Sequence, residues 1–440
     1  MKIHRFFHAA ATARTLAWTS AGALLFTSIA ASAATEVRVW HSLNPHNTKV
    51  FEELVKDFNK EQKDIKVVLK AFANEDAIEA ALAASKKRDD KPQLVQLDDN
   101  RSPDEVAGRS YIQPLHTLLA KYPIKDAKWF LADENTFMRD TKGRLLAFPY
   151  MVDVPVMFYN VDAFKKANIK PTVPQRSWSG LQDQLVTLAN NGSRRCPLTT
   201  DQPVTVNLES LGPVNNHPYT SNDNGLKSKS TPAFVFDMMY VRHLSMMISW
   251  VRSELMVKPE FDGVATQRFA NRECAILMSD SSNLGWFKSS GKLDFGVTGL
   301  PYYPQFTSKP GNPFVGGSAL WVTSTHSKES DASTAKFLGW LAQPKRAAYW
   351  YENTGFLPLT QQAYAQTDKG YFNSLGDWQT LVSSYSRNPG TAGRGFRVNN
   401  YPQIRAMFSK TLNNALSGNQ PAVTALKFAS TEAGKIMRQP

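Results

Sequence analysis

The sequence predicts an α/β protein made of two lobes, and three observations lead to that fold class. The chain has 440 residues, which is too long for a single hydrophobic core. Short apolar segments with β-type alternation take turns with segments of helical periodicity, first from residue 36 and again after residue 160. An extended stretch over 145–160 separates the two series, and we interpret it as a crossing between lobes.

The first series has the order β-α-β-α-β. Its predicted strands are 36–41, 65–72 and 92–98, and its predicted helices are 46–62 and 75–85. This order is typical of a parallel sheet with helices on its faces. Ligands of such sheets bind beyond the carboxyl ends of the strands, where the sequence places Asp98, Asp99 and Asn100.

The second series follows the extended stretch, in which Pro149 and Pro155 limit a continuous strand. We expect helices at 161–168, 178–190, 234–250, 331–342 and 344–353, and strands at 274–278, 293–300 and 314–324. The last strand is expected to return the chain to the first lobe. The predicted lobes are therefore 34–155 with 317–370, and 156–316 with 371–440. Two lobes that the chain crosses more than once suit a hinge that closes on a ligand.

Residues 1–33 have the three parts of a secretory signal peptide. Lys2, Arg5 and Arg14 make the start basic, an apolar run over 16–29 follows, and the small residues of 31–33 end the segment. The run is shorter than the about 20 residues that span a bilayer, so we expect cleavage and a monomeric periplasmic protein. The three basic residues leave with the segment, and the formal charge falls from +13 to +10.

Cys196 and Cys274 are the two cysteines of the chain. In an oxidising compartment they can form a disulfide, and the alternative is two buried thiols. The sequence has no CxxC, HExxH, GxSxG, Walker or GxGxxG motif, and its eight histidines are scattered. No metal, cofactor or common catalytic set is therefore indicated. A nucleic-acid partner is not indicated either, because no aromatic and basic residues are interleaved as a stacking platform.

Three later motifs carry a resemblance to a known family. They are Gly-Gly-Ser-Ala-Leu-Trp at 316–321, Thr-Gly-Phe-Leu-Pro-Leu-Thr at 354–360 and Tyr-Pro-Gln-Ile-Arg at 401–405. In this order and behind a secretion signal, they resemble the periplasmic solute-binding proteins of ABC importers, and among these the glycerol-3-phosphate binders. The resemblance implies the two-lobed periplasmic-binding-protein fold of type II, in which each lobe is a mainly parallel sheet flanked by helices. It also implies a small polar ligand in the interlobe cleft, a membrane permease and ATPase as partners, and no cofactor.

The resemblance also implies a set of ligand contacts. These candidates are Asn74, Asp99, Asp153, Trp178, Asp280, Gly317, Phe356 and Arg405. Gly317 and Arg405 match the family's glycine and arginine, although Gly317 as a tight strand start and Arg405 in a structural or surface pair stay open. Trp178 is expected at the mouth of the cleft, and core packing is its alternative. Asp99 keeps the carboxylate of a family glutamate.

The other candidates depart from the family. Phe356 stands where the family has tyrosine, Asn74 lies near another family tyrosine, and Asp153 and Asp280 occupy two serine positions. A serine donates a hydrogen bond to a phosphate, whereas an ionised aspartate repels it. Two like charges about 4 Å apart repel by about 4 kcal/mol at an effective dielectric constant of about 20.

Two interpretations of the ligand therefore stay open, and one of a different class. If Asp153 and Asp280 point away from the cleft, the ligand is glycerol-3-phosphate or a glycerophosphodiester. If both face the cleft, a sugar, a polyol or a cationic ligand suits them better. The different class is a periplasmic hydrolase of phosphodiesters or glycosides that uses paired aspartates. The adjacent residues Asp98 and Asp99 argue against the hydrolase interpretation. Side chains of adjacent residues in a strand point to opposite faces of the sheet, so these two aspartates would not form a catalytic pair.

Overall fold

The computed structural model of the protein describes residues 34–85, 90–97, 103–191, 195–227, 230–259, 263–324 and 326–439. The predicted signal peptide and Asp99 lie outside the described residues. Within these ranges, no helix has the length and apolar character that a membrane crossing requires.

The described part of the chain contains ten strands and eighteen α-helices. The strands are β1 (Thr35–His41), β2 (Ile65–Ala71), β3 (Leu94–Leu97), β4 (Ile112–Gln113), β5 (Phe148–Asp153), β6 (Pro155–Asn160), β7 (Cys196–Thr200), β8 (Cys274–Asp280), β9 (Phe295–Thr298) and β10 (Gly316–Thr323). The helices are α1 (Pro45–Glu61), α2 (Glu75–Ala84), α3 (Pro103–Ala107), α4 (Leu115–Lys121), α5 (Val161–Lys166), α6 (Trp178–Asn190), α7 (Leu211–Val214), α8 (Ser221–Asn224), α9 (Met238–Arg252), α10 (Val264–Ala270), α11 (Leu284–Ser290), α12 (Lys328–Leu341), α13 (Pro344–Thr354), α14 (Gln361–Ala365), α15 (Trp378–Ser384), α16 (Gly390–Gly393), α17 (Tyr401–Leu416) and α18 (Ala422–Ile436).

The strands form two sheets, as a two-lobed α/β fold requires. The first has the order β2-β1-β3-β10-β4, with β5 also paired to β10, and the second has the order β7-β8-β6-β9. β1 is parallel to β2 and β3, and β7 is parallel to β8. β10 and β6, however, are antiparallel to each of their neighbours. The expectation of mainly parallel sheets is therefore wrong. β6 follows β5 and β10 follows β9, and each of these pairs lies in different sheets with no helix between its two strands. No β-α-β unit therefore sets the direction of β6 or β10.

The chain passes between the sheets at two places. β5 ends at Asp153 and β6 begins at Pro155, while β9 ends at Thr298 and β10 begins at Gly316. Across the crossings, Asp153 pairs with Gly316 in one sheet and Pro155 pairs with Asp280 in the other. The ends of β5, β8 and β10 therefore meet where the two sheets adjoin.

Local sequence explains where the flanking helices begin. Asn44 accepts a hydrogen bond from the backbone N–H of Asn47 at 2.8 Å, and Pro45 occupies the first position of α1, so the start of the helix is capped. In the second lobe, Asp237 caps α9 in the same way. Met247 of α9 is buried whereas Met238 is 62% exposed, so one face of this helix packs in the core.

Cys196 and Cys274 are joined by a disulfide. They stand opposite each other at the first residues of the parallel strands β7 and β8. The bond holds together the starts of two strands whose other ends carry acidic residues of the cleft described below.

Candidate functional site

A cleft of about 810 Å³ lies between the facing ends of the two sheets. Its volume is in the range of small-molecule binding sites. Six of the predicted contacts line it: Asn74, Asp153, Asp280, Gly317, Phe356 and Arg405. The structure therefore brings together residues that are more than 300 positions apart in the chain.

Asp153 and Gly317 meet at the crossing between β5 and β10. Gly317 has φ +82°, and a Cβ atom at this position would lie 2.3 Å from the backbone oxygen of Met151 and 3.0 Å from Oδ1 of Asp153. A residue with a side chain would be strained by its backbone and would also collide with β5. Glycine is therefore required both for this turn of the strand and for the close approach of the backbone to Asp153, which is buried.

Asp280 ends β8 and points its carboxyl group into an acidic environment. Burial raises the pKa of Asp280 well above its usual range, and the neighbouring carboxyl groups of Asp153 and Asp201 raise it further. Arg405 opposes this rise, and Glu209 adds to it. A pKa raised in this way means that Asp280 holds its proton more tightly than a solvated aspartate does.

Asp201 is a cleft residue that the sequence analysis did not identify. Its Oδ2 accepts hydrogen bonds from Oγ1 of Thr266 at 2.7 Å and Oγ of Ser279 at 3.1 Å. Its Oδ1 is buried and accepts no hydrogen bond from the residues that the structure describes. Burial raises the pKa of Asp201, and the two hydroxyl donors partly oppose this. Asp201 directly follows β7, so the strand-end rule that singled out Asp99 would have found it had β7 been predicted.

Arg405 lies in the first part of α17 and is held by residues of the second lobe. Its Nε lies 3.3 Å from Oε1 of Glu209, and its Nη2 donates to Gln202 at 3.2 Å and to Thr205 at 3.1 Å. Glu209 is buried and also accepts a 2.6 Å hydrogen bond from the hydroxyl of Tyr401. Arg405 therefore has both the structural pairing and the cleft position that the sequence left as alternatives.

Glu209 and Thr205 stand at the two ends of one turn of π-helix, closed by a hydrogen bond from Ser210 N to Thr205 O of 2.8 Å. Such turns are rare and occur frequently at functional sites. No local sequence pattern predicts this π-helical turn. The orientation of the Arg405 side chain, which the turn helps to set, could therefore not be predicted from the sequence.

Two further predicted contacts form the first-lobe wall. Phe356 is buried against the ring of Trp350, with 5.4 Å between ring centroids and an angle of 17°. Asn74 caps α2, since its Oδ1 accepts from Ala77 N at 2.9 Å. Both side chains are therefore held in place by their own lobe before any ligand arrives.

Trp178 is not among the described residues that line the cleft, so its expected place at the mouth of the cleft is wrong. The side chain is 2% exposed and packs against His243, Trp250 and Tyr303, with ring centroids 4.6, 5.9 and 6.2 Å away. Ser177 caps α6, which turns Trp178 at the first position of the helix into the core of the second lobe. The core-packing alternative is the correct one.

Contacts between the two lobes lie beside the cleft. Arg397 pairs with Asp104 of α3 and also donates to the backbone oxygen of Arg139. Asn400 N donates to Glu105 Oε1 at 3.1 Å. Arg397 and Asn400 directly precede α17, which carries Arg405. These contacts connect the segment that positions Arg405 with the helix that follows β3.

Among the described residues that line the cleft, acidic side chains outnumber basic ones. Five carboxyl groups line the cleft, from Glu75, Asp153, Asp201, Glu209 and Asp280, whereas Arg405 is the only basic residue among the described lining residues. Amide and hydroxyl side chains make up most of the remainder, together with the rings of Phe314 and Phe356. Such a wall offers hydrogen bonds, an apolar ring face and an excess of negative charge.

Comparison with known proteins identifies the family. Residues 53–373 match the model of the bacterial extracellular solute-binding proteins. The chain belongs to this family. The resemblance that the three sequence motifs indicated is thereby confirmed.

Two relatives with similar sequences carry the same name. The chain is 30% identical over 403 residues to the sn-glycerol-3-phosphate-binding periplasmic protein UgpB of Rhizobium meliloti, with 91% of this chain and 93% of the relative covered. It is 28% identical over 418 residues to UgpB of Escherichia coli K12, covering 93% and 94%.

Solved structures of solute-binding proteins share the fold. UgpB of Mycobacterium tuberculosis in complex with glycerophosphocholine has a TM-score of 0.70 at 19% identity, with 92% of this chain and 98% of that chain covered. Maltose-bound MalE3 of T. maritima has a TM-score of 0.73 at 17% identity, covering 92% and 100%. At these identities the structures establish the two-lobed fold alone.

Proposed function

We propose that this solute-binding protein captures glycerol-3-phosphate or a glycerophosphodiester in the interlobe cleft and delivers it to the permease of an ABC importer. The observation that carries the proposal is the position of Gly317 and Arg405, the two residues that match the family's ligand contacts, on opposite walls of one cleft. The relatives named for glycerol-3-phosphate are similar over more than nine tenths of both chains, which supports the same ligand class. The place of action is the periplasm, and the protein acts as a monomer.

The mechanism is binding with closure. Asn74, Gly317 and Phe356 belong to the first lobe, while Asp280 and Arg405 belong to the second. A ligand that touches both walls binds the closed arrangement better than an open one and shifts the population toward it. No covalent step is required, and family membership makes binding without turnover the expected activity.

A sugar or polyol is the second candidate ligand, and the specific observation that favours it is the excess of carboxyl groups in the cleft. Carboxylates accept hydrogen bonds from pairs of hydroxyl groups without any need for a positive charge on the ligand. Arg405 and the glycerol-3-phosphate-named relatives favour the phosphoester instead.

Calorimetric titration of the mature protein tests the proposal. The ligands are glycerol-3-phosphate, glycerophosphocholine, glycerophosphoglycerol and maltose, each in excess over the protein. We expect at least one phosphoester to bind with one site per chain and no turnover. Binding of maltose without binding of any phosphoester would overturn the phosphoester proposal in favour of the sugar. Release of a product from the titrated ligand, measured by chromatography, would support the hydrolase interpretation.

A further inference from the structure

A second cavity, distinct from the ligand cleft, lies at the contact between the two lobes. It has a volume of about 270 Å³, and its described lining residues are all different from those of the cleft. Residues of the segment 133–143 line it from the first lobe, and Arg394 and Arg397, which precede α17, line it from the second. The cavity is therefore separate from the place where we propose that the transported solute binds.

Hydrogen bonds to the backbone hold the two sides of this cavity together. The backbone oxygen of Arg394 accepts from Thr136 N at 2.8 Å and from Thr136 Oγ1 at 3.0 Å, and the guanidinium of Arg397 donates to the backbone oxygen of Arg139. Gly395 permits this approach, since its φ is +124° and a Cβ there would lie 2.0 Å from Thr136 Oγ1. The close contact of the two segments brings the side chains of three arginines to one cavity.

The guanidinium groups at this cavity have more donors than the described chain has acceptors for them. Each arginine carries five N–H donors. The side chain of Arg139 donates to Gly143 O at 2.7 Å and lies 3.8 Å from the carboxyl group of Asp133. Arg394 pairs with Asp223, while its Nε is buried and has no hydrogen-bond partner among the described residues. Neither guanidinium is therefore fully matched by acceptors of the described chain.

The acidic residues that line the cavity compensate these charges weakly. The side chain of Asp133 is 97% exposed, and Glu134 is also exposed, so water screens both carboxylates. Oδ2 of Asp140 accepts from the guanidinium of Arg144, and its Oδ1 accepts from the backbone N–H of Arg144 at 2.8 Å. The charge of Asp140 is thus used by an arginine outside the described lining.

Two further carboxylates pair with the arginines from outside the described lining. Asp104 pairs with Arg397, and Asp223 pairs with Arg394. The carboxylate of Asp223 also lies 3.2 Å from Nζ of Lys227, another residue of the cavity wall. One carboxylate therefore serves two cations.

Burial increases the need for a negative group in this cavity. Burial lowers the pKa of Arg139, which Asp133 opposes only in part, and burial also lowers the pKa of Arg397. Arginine nevertheless keeps its charge at neutral pH, so these guanidinium groups stay charged where water cannot fully solvate them. An anion in the cavity would offset this cost and would also supply acceptors for the remaining N–H donors.

We propose that this cavity binds a small oxyanion of the phosphate type between Arg139 of the first lobe and Arg394 and Arg397 of the second. A guanidinium group presents paired N–H donors that match two oxygens of such an anion. The exposed carboxylates of Asp133 and Glu134 disfavour a large polyanion in the same place. The site goes beyond the proposed transport function, and it does not depend on which solute binds in the cleft.

The position of the site at the contact between the lobes gives it a consequence for closure. Without an anion, the like charges of Arg139 and Arg394 repel each other across the contact. An anion that touches both sides favours the arrangement in which they meet and shifts the population toward it. We therefore expect the bound oxyanion to hold the two lobes together.

Equilibrium dialysis with inorganic phosphate tests the site. The mature protein with Arg405→Ala lacks the basic residue of the described cleft lining, so phosphate bound to this variant reports on the second cavity. We expect about one phosphate per chain with a Kd below about 1 mM, and displacement of the phosphate by sulfate.

Substitutions in the same background assign the bound phosphate to the cavity. Arg139→Gln keeps a donor for Gly143 O and removes the charge, and we expect it to weaken phosphate binding at least about tenfold. Arg394→Gln serves if Arg139→Gln does not fold, which thermal unfolding reveals. Arg346→Gln is the matched control, because Arg346 pairs with Glu61 within the first lobe and away from the cavity. It should leave the affinity for phosphate unchanged.

The outcomes separate the site from its role in closure and from the proposed function. An absence of phosphate binding to the Arg405→Ala protein up to about 10 mM would overturn the site, and so would unchanged affinity in the folded cavity variants. Small-angle scattering should show that phosphate makes the Arg405→Ala protein more compact. Bound phosphate with no change in the radius of gyration would overturn the bridging role. Failure of every phosphoester to bind in the cleft would overturn the proposed function and leave this site standing.

Discussion

The two walls of the cleft hold their residues by different means. On the first-lobe wall, Gly317 is set by its backbone, Asn74 by the helix that it caps and Phe356 by its stacking on Trp350. On the second-lobe wall, charged groups hold one another, as Arg405 does with Glu209. Covalent geometry and packing therefore shape the first wall, while electrostatics shape the second.

The substitution Arg405→Ala, on the second-lobe wall, should weaken ligand binding more than any other change proposed here. It removes a charged donor from the cleft and one charged partner from buried Glu209, and the expected loss of binding free energy is about 2–5 kcal/mol. Calorimetry with the tightest phosphoester measures it, and circular dichroism checks that the variant is folded. Arg387→Ala, at an exposed arginine, is the control. An affinity within about threefold of the wild type would remove Arg405 from the site.

The substitution Gly317→Ala, on the first-lobe wall, should lower both the stability of the protein and its affinity for the ligand. The alanine Cβ would lie 2.3 Å from Met151 O at a φ of +82°, and the expected loss of stability is about 1–3 kcal/mol, together with weaker binding. Gly143→Ala is a matched control, because Gly143 has φ +76° but no heavy atom within 4 Å of the added Cβ. Thermal unfolding of both variants separates backbone strain from collision with β5. Equal losses in the two would show that the close approach to β5 is unimportant.

Exchanging one carboxyl group on each side of the cleft, Asp153 of β5 and Asp280 of β8, for the family's hydroxyl groups should sharpen the comparison. In the double variant Asp153→Ser and Asp280→Ser, two repelling anions become two donors, so the affinity for glycerol-3-phosphate should rise more than about tenfold. Ligands with a cation or several hydroxyl groups should lose affinity. Parallel titrations of wild type and variant measure both changes. Micromolar binding of glycerol-3-phosphate by the wild type, with no gain in the variant, would show that these aspartates do not select the ligand.

The pH dependence of stability should depend on Asp280. Its pKa is raised in the folded protein, so the folded state binds the proton better than the unfolded chain, and this contribution to stability is lost as the pH rises through the raised pKa. Asp280→Asn should therefore raise the Tm of the ligand-free protein at about pH 8. The difference should shrink toward about pH 3, below the ordinary aspartate pKa of about 3.9, where the carboxyl group is mostly protonated in both states. A Tm difference that is constant across this range would contradict the raised pKa.

Removing the ion pair between Arg397 and Asp104, which connects the two lobes, should have the smallest effect on ligand affinity. Arg397→Ala removes the cross-lobe pair with Asp104 and should weaken ligand binding about three- to tenfold, because the closed arrangement loses one charged contact. Arg109→Ala is the matched control, since Arg109 pairs with Glu79 within the first lobe. Small-angle scattering of the ligand-free variant should show a more open protein. Equal affinities in the two variants would mean that the pair has no part in closure.

Most elements of the fold could be predicted from the sequence because their signals are local. The predicted helix 178–190 agrees with α6, and the predicted 344–353 differs from α13 by one residue. β7 was missed, since its sequence Cys-Pro-Leu-Thr-Thr has little apolar alternation and contains a proline. The antiparallel course of β6 and β10 was missed for another reason. Strand direction depends on which lobe the chain comes from, and periodicity carries no information on that.

The candidate site was predicted in part, through the resemblance. Motif matches pointed to Gly317, Phe356 and Arg405, and the structure places all three at the cleft. The same route failed for Trp178, whose direction depends on the cap of α6, and it gave no indication of Glu209. Carrying a family position over to this chain predicted a place at the cleft where the backbone sets that place, and the ligand contacts themselves stay predictions. It fails where rotamers and neighbours set it.

The sequence by itself determined the alternating helices and strands, the two lobes and the family. These follow from periodicity, length and short motifs, which act over a few neighbouring residues. Only the tertiary structure decided that Asp153, Asp201, Asp280 and Arg405 face one another. Electrostatic interactions depend on separations of a few ångströms, and the separation of residues in the chain does not fix their separation in space. The charge of the cleft, and with it the class of ligand, is therefore a property of the folded protein.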